Sequence, residues 1–204
     1  MQRRHLFLLV GIASLALGAG LLLGRGVYRA AAPELHATTL LPSPRALPEF
    51  TLATSTGALA AHDLAGRWTL LFFGFTRCAD VCPTTLALLA RVDAALAAVP
   101  AAQRPRVLFV SVDPGRDTPA ISGAYAARFD AAFLGATGTD AELVALTTAL
   151  GAPFAKLGSG DDYEVDHSGA LFLLDRDARF AGVITPPLDA TPIATDLAQL
   201  VSRD

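Results

Sequence analysis

Sulfur is scarce in this 204-residue chain: it carries two cysteines, Cys78 and Cys82, too few for a framework of several disulfides. What remains open for them is one bridge, one redox pair or part of one metal site. Lysine is scarcer still, with Lys156 alone among 16 basic residues, and no run of basic residues occurs in the body of the chain. Four of the basic residues, and none of the 19 acidic ones, fall in the first 33 positions, so the remainder carries a formal charge of −7. An acidic body without a basic run argues against nucleic acid as a partner. There is no internal repeat and no low-complexity tract after the N-terminal region.

What is present begins with "MQRRH" followed by the uncharged run Leu6–Gly24. As a helix this run would extend roughly 28 Å, close to the hydrocarbon thickness of a bilayer. It exceeds the roughly 7 to 15 residues of a secretory apolar region, so residues 1–25 are read as a retained transmembrane anchor. The small residues of "RAAAPE" keep a cleaved signal peptide as the alternative. Arg3 and Arg4 nearly balance Arg25 and Arg29, and the five-residue tail predicts a cytoplasmic N-terminus with an exported body. In a bacterium that is a single-pass protein of the inner membrane with its domain in the periplasm. Residues 26–48, with Pro33, Pro42, Pro44 and Pro48, read as a semi-extended linker. Residues 49–204 read as one globular domain, and 52% hydrophobic content supports its core.

In that domain "WTLLFFGF" has the length and aromatic content of a buried strand. "CPTTLALLARVDAALAAV" follows as a helix with Leu86, Leu89, Val92, Leu96 and Val99 on its apolar face. "RVLFVSV" is a second buried strand, and a helix capped by Asp117 or Thr118 with Pro119 just inside comes next. A short strand near "AFLGAT", a helix from Asp140 to Leu150, a strand pair near "YEVDHSGALFLLD" and "RFAGVI", and a helix from Ala190 to Val201 complete the pattern. Alternating strands and helices that end in a hairpin predict an α/β sandwich with a mixed sheet.

The chemistry centres on "CADVC". Cysteines at i and i+4 share one helical face, about 5 to 6 Å apart, where they can meet each other or a common ligand. A strand-to-helix turn supplies unpaired N–H groups that favour thiolate, and Arg77 adds positive charge. A structural disulfide is the competing reading, although closing so short a loop constrains little of the unfolded chain. A metal needs a third ligand. His5 belongs to the flank of the apolar run, His36 to the linker and His62 to the end of an early extended piece. His167 lies in the turn before a buried strand, beside Asp166 and Ser168, and sequence spacing alone leaves it between a backbone-bonded turn histidine and a ligand.

"FFGFTRCADVCPTTL", "SVDPGRDTP" and "YEVDHS", in this order behind an N-terminal anchor, resemble the Sco/SenC family of membrane-anchored proteins that assemble the copper centre of cytochrome c oxidase. The resemblance covers essentially the whole globular domain. It implies a thioredoxin-like fold, a central mixed sheet flanked by helices, plus the N-terminal transmembrane helix. It also implies copper, Cu(I) or Cu(II), held by Cys78, Cys82 and His167, with Asp113 in a supporting role. The partners implied are the copper-accepting oxidase subunit and another copper chaperone.

Two thiolates and an imidazole suit Cu(I), and an added oxygen donor suits Cu(II). The functional expectation is copper delivery to that subunit. The alternative is a thiol-disulfide oxidoreductase, with Cys78 and Cys82 as the redox-active dithiol that reduces the subunit's cysteines. "VCPTT" is similar to a peroxiredoxin segment, but Ala79 stands where such a peroxidase needs threonine. The acidic patch Asp161, Asp162, Glu164 and Asp166 reads first as a solvated hairpin and second as a surface for a basic partner.

Overall fold

The computed structural model describes residues 34–160 and 162–203, so the predicted membrane span and the start of the linker lie outside it. Among the described residues no helix is long and apolar enough to cross a membrane. The elements are β1 (Thr39–Arg45), β2 (Thr51–Thr54), β3 (Gly57–Ala60), a 3-10 turn (Ala61–Leu64), β4 (Thr69–Gly74), α1 (Val81–Ala95), β5 (Arg106–Ser111) and α2 (Pro119–Ala127). There follow β6 (Leu134–Thr137), α3 (Asp140–Leu150), β7 (Ala155–Leu157), β8 (Glu164–Asp166), β9 (Leu171–Leu174), β10 (Phe180–Ile184) and α4 (Ala190–Ser202).

Eight strands form one mixed sheet in the order β1-β10-β9-β4-β5-β6-β2-β3. Every residue of β4 is buried, as a central strand covered on both faces requires. Its side chains alternate: Leu70 and Phe72 join Leu86, Leu89 and Leu197 of α1 and α4, whereas Leu71 and Phe73 join Leu143 of α3. Each such side chain contributes about 1.5–3 kcal/mol by leaving water. The α2 helix lies directly on β6, where a Cβ at Gly135 would stand 2.0 Å from the Ser122 carbonyl oxygen. Thr118 caps α2 by accepting the Ile121 N–H at 3.3 Å, with Pro119 as the first helical residue.

Pairing brings three chain segments to one end of the sheet. β4 and β5 run parallel, with Gly74 opposite Ser111, so the segments leaving both strands emerge together. β9 is antiparallel to β4, with Leu171 opposite Phe72, so the segment entering β9 arrives at that same end.

Three expectations are corrected. Residues 39–45, read as linker, form β1, which pairs with β10. Pro42 and Pro44 suggested a linker, but β1 is an edge strand, where proline removes no needed ladder bond. The segment ahead of β1 is held by Asp196 of α4, which accepts the N–H groups of His36, Ala37 and Thr38 at 2.8–2.9 Å. The strand pair near "YEVDHSGALFLLD" and "RFAGVI" is present as β9 against β10, but its first part, "YEVD", does not join it: β8 forms a separate two-stranded sheet with β7, an element without a legible pattern. Finally, α1 starts at Val81, so Cys78 lies in the loop before it, not on its face.

Candidate metal centre

Cys82 is the second residue of α1 and is fully buried; Cys78 is half-buried in the loop between β4 and α1. Both are free thiols. The Cys82 N–H, one of the donors a helix start leaves unpaired, points at the Cys78 sulfur 3.4 Å away. His167 follows β8 directly, and its Nε2 lies 3.4 Å from the Cys82 sulfur. Its Nδ1 lies 3.1 Å from the Ser168 carbonyl oxygen. A proton on Nδ1 donated to that carbonyl leaves the Nε2 lone pair facing the sulfurs.

The two sulfurs and one imidazole nitrogen all lie within 4.8 Å of one another. A trigonal ion with bonds of about 2.0–2.3 Å holds its donors about 3.5–4 Å apart, so the residues fit a metal with small side-chain adjustment. Two thiolates and an imidazole form a soft donor set. Among the described residues no other cluster of three or more ligating side chains occurs.

The surroundings are built for close approach. A Cβ at Gly74 would stand 2.6 Å from the Cys82 sulfur and 2.9 Å from Phe109, so only glycine lets the sulfur sink against the end of β4. Phe72 and Phe75 meet the His167 ring edge-on at 6.0 and 5.9 Å between centroids. Burial pushes the Cys82 thiol up from its ordinary value; a hydrogen bond from the Phe75 backbone offsets part of this, and the Cys78 sulfur adds to the rise. The expectation that the helix start favours thiolate is therefore reversed at Cys82, where desolvation outweighs the helix terminus. Tyr125 is also buried, its hydroxyl without a partner, and burial pushes its phenol up to about 12, with both sulfurs adding to the shift.

The cysteine loop is braced by Asp117, which is buried and accepts the Thr76 N–H at 2.8 Å, the Thr76 hydroxyl at 2.5 Å and the Ser111 hydroxyl at 2.5 Å. Asp113 follows β5 at the same end of the sheet but bonds none of the three candidate ligands. It accepts from Arg116 Nε and the Tyr163 hydroxyl instead. His62 stands apart, exposed and 3.5 Å from Asp63. Glu164 and Asp166 of the acidic patch, with Asp80, border an open cavity of about 520 Å³ whose lining includes Cys78, Val81 and His167. Asp161 lies outside the described residues. Gly74 and Tyr163 escaped the sequence reading; an isolated glycine at the end of an apolar strand is the signal that marks the first.

A mixed sheet flanked by helices, with a dithiol at a strand-to-helix turn and a histidine delivered beside it, defines a thioredoxin-like α/β protein carrying a candidate metal centre. The chain belongs to the SCO1/SenC family, whose model matches residues 39–202. A Stutzerimonas stutzeri protein named for copper binding is 38% identical over 167 residues, 81% of either chain. The mitochondrial SCO2 homolog of Bos taurus is 41% identical over 121 residues, which cover 58% of this chain and 45% of the bovine one. The copper-bound ScoI structure of Bradyrhizobium japonicum is 35% identical, with a TM-score of 0.67 over 76% of this chain and 99% of that one.

Proposed function

We propose that this chain binds one copper ion through Cys78, Cys82 and His167 and delivers it to the copper-accepting subunit of cytochrome c oxidase during assembly. Leu6–Gly24 anchors it in the inner membrane with the domain in the periplasm, and another copper chaperone supplies the metal. The observation that carries this reading is the convergence of two sulfurs and one imidazole nitrogen within 4.8 Å. The relatives named or solved with copper supply the metal's identity. The centre borders an open cavity, which lets an incoming donor reach the metal and exchange ligands.

The test is a Cu(I) titration of the full chain in detergent against Cys78→Ser, Cys82→Ser and His167→Ala. Wild type binds about one equivalent, and each substitution weakens binding at least about tenfold, as loss of one of three donors requires. Full affinity in His167→Ala rejects the three-ligand site.

Thiol-disulfide exchange with the oxidase subunit's cysteines is the second reading. It is favoured by the half-buried Cys78 sulfur, which accepts a helix N–H, beside a buried Cys82 that can resolve a mixed disulfide. Exchange with a cysteine-bearing fragment of that subunit measures it, and an inert dithiol eliminates it.

A further inference from the structure

The hairpin that carries His167 has little of its own to hold it. β7 and β8 contribute three residues each, and of these Val165 alone is buried. A two-stranded hairpin of this length is not stable by itself, so its place depends on ties to the rest of the fold.

Those ties converge on Tyr163, immediately before β8. Its hydroxyl donates to Asp113 Oδ1, its carbonyl accepts from Arg116 Nη1 at 2.8 Å, and the Arg116 guanidinium stacks 3.6 Å from its ring centroid. Arg116 Nε in turn donates to Asp113 Oδ2, so both oxygens of a fully buried carboxylate are engaged. Tyr163 is thus gripped at ring, hydroxyl and backbone by the segment leaving β5, at the sheet end where the cysteine loop leaves β4.

Two physical routes lead from this clamp to the imidazole. One is the short strand β8, after which His167 is the next residue. The other is Phe75, whose centroid lies 5.8 Å from the Arg116 guanidinium carbon and 5.9 Å from the His167 ring. We infer that Tyr163, clamped by Arg116 and Asp113, is a positioning residue that sets where His167 stands relative to the two sulfurs. This rests on the reading of Cys78, Cys82 and His167 as a copper site. The clamp governs how readily the imidazole joins and leaves the metal, while the two sulfurs hold it.

The test combines Tyr163→Leu and Tyr163→Phe with His167→Ala in the full-length protein. Cu(I) affinity is read by competition with bicinchoninate, and amide hydrogen exchange is read on the metal-free protein. Tyr163→Leu weakens Cu(I) binding about tenfold, as loss of a stacked cation and a charge-assisted hydrogen bond implies. In the His167→Ala background the same substitution changes affinity by less than about twofold, because the group it acts through is gone. Tyr163→Phe, which keeps the ring, falls between wild type and Tyr163→Leu. In metal-free Tyr163→Leu the amides of residues 155–168 exchange faster while those of β4 and β9 do not. Equal losses in both backgrounds, no loss in either, or unchanged exchange in the hairpin overturns the inference. If the wild-type protein binds no copper, the proposed function fails and the exchange measurement alone decides the clamp.

Discussion

The Nε2 of His167 stands 3.4 Å from the sulfur of Cys82, a residue 85 positions earlier. No local rule brings them together. β4 ends four residues before Cys78, and β9 begins four residues after His167; the antiparallel pairing of those strands closes the distance.

Gly74→Ala tests how tightly that geometry is set. The added Cβ would stand 2.6 Å from the Cys82 sulfur and 2.9 Å from Phe109, both of them fully buried. The variant loses about 1–3 kcal/mol of stability, as overpacking in a dense core does. Denaturant unfolding reads this as a lower midpoint at unchanged slope. Wild-type stability would show that the sulfur is not seated against β4.

Alkaline pH tests the burial of Cys82. Its folded-state value is raised above the ordinary 9.0, so between 9.0 and the folded value the unfolded chain has lost a proton that the native protein keeps. The stabilisation is therefore fully present below pH 9.0 and declines as pH rises above it. The Cys82 part of the slope is at most about 1.4 kcal/mol per pH unit and is lost in Cys82→Ala, which keeps only the decline that buried Tyr125 adds above about pH 10. Chemical denaturation of the metal-free protein from pH 8 upward, at about half-unit steps, measures it. Copper binding should release the same proton, a change calorimetry in buffers of different ionisation enthalpy can detect.

Asp117→Asn removes the brace of the cysteine loop. The carboxylate accepts from Thr76 twice and from Ser111 once, and an amide can match only part of this because its NH2 would face a donor. Stability falls by about 1–3 kcal/mol, as expected when buried donors lose an acceptor. Cu(I) affinity falls with it because the loop carries Cys78. A variant that loses stability but keeps full affinity would separate the brace from the site.

Asp196→Ala tests the opposite expectation, a structural carboxylate with no part in the chemistry. It releases the N–H groups of His36, Ala37 and Thr38 and loosens the strand they lead into. Amide exchange across residues 36–45 accelerates and the melting temperature drops. Copper affinity stays within about twofold of wild type, since the hydrogen bonds of Asp196 go to residues 36–38 and to none of the three candidate ligands. A larger change in affinity would link the N-terminal edge of the sheet to the metal centre.

Where local physics decides, the chain was readable. Thr118 and Pro119 start α2 as their capping chemistry dictates, and the span of α3 follows from its own signals. The apolar run through β4 marked the sheet's centre. Legibility failed where a neighbour distant in sequence decides. β1 is a strand because β10 offers it a ladder, and β7 is one because β8 does. Burial, not the nearby helix start, controls the Cys82 thiol.

From the amino-acid sequence alone came the dithiol at a strand-to-helix turn, the soft donor types and the motif order that resembles the Sco/SenC family. Tertiary structure decided that His167 reaches the sulfurs, that Gly74 makes room for one of them and that Tyr163 ties the histidine's hairpin to the body. The division follows from range: caps, turns and periodicity act within a few residues, whereas a three-donor site needs sheet register and dense packing to set the separation of atoms far apart in the chain.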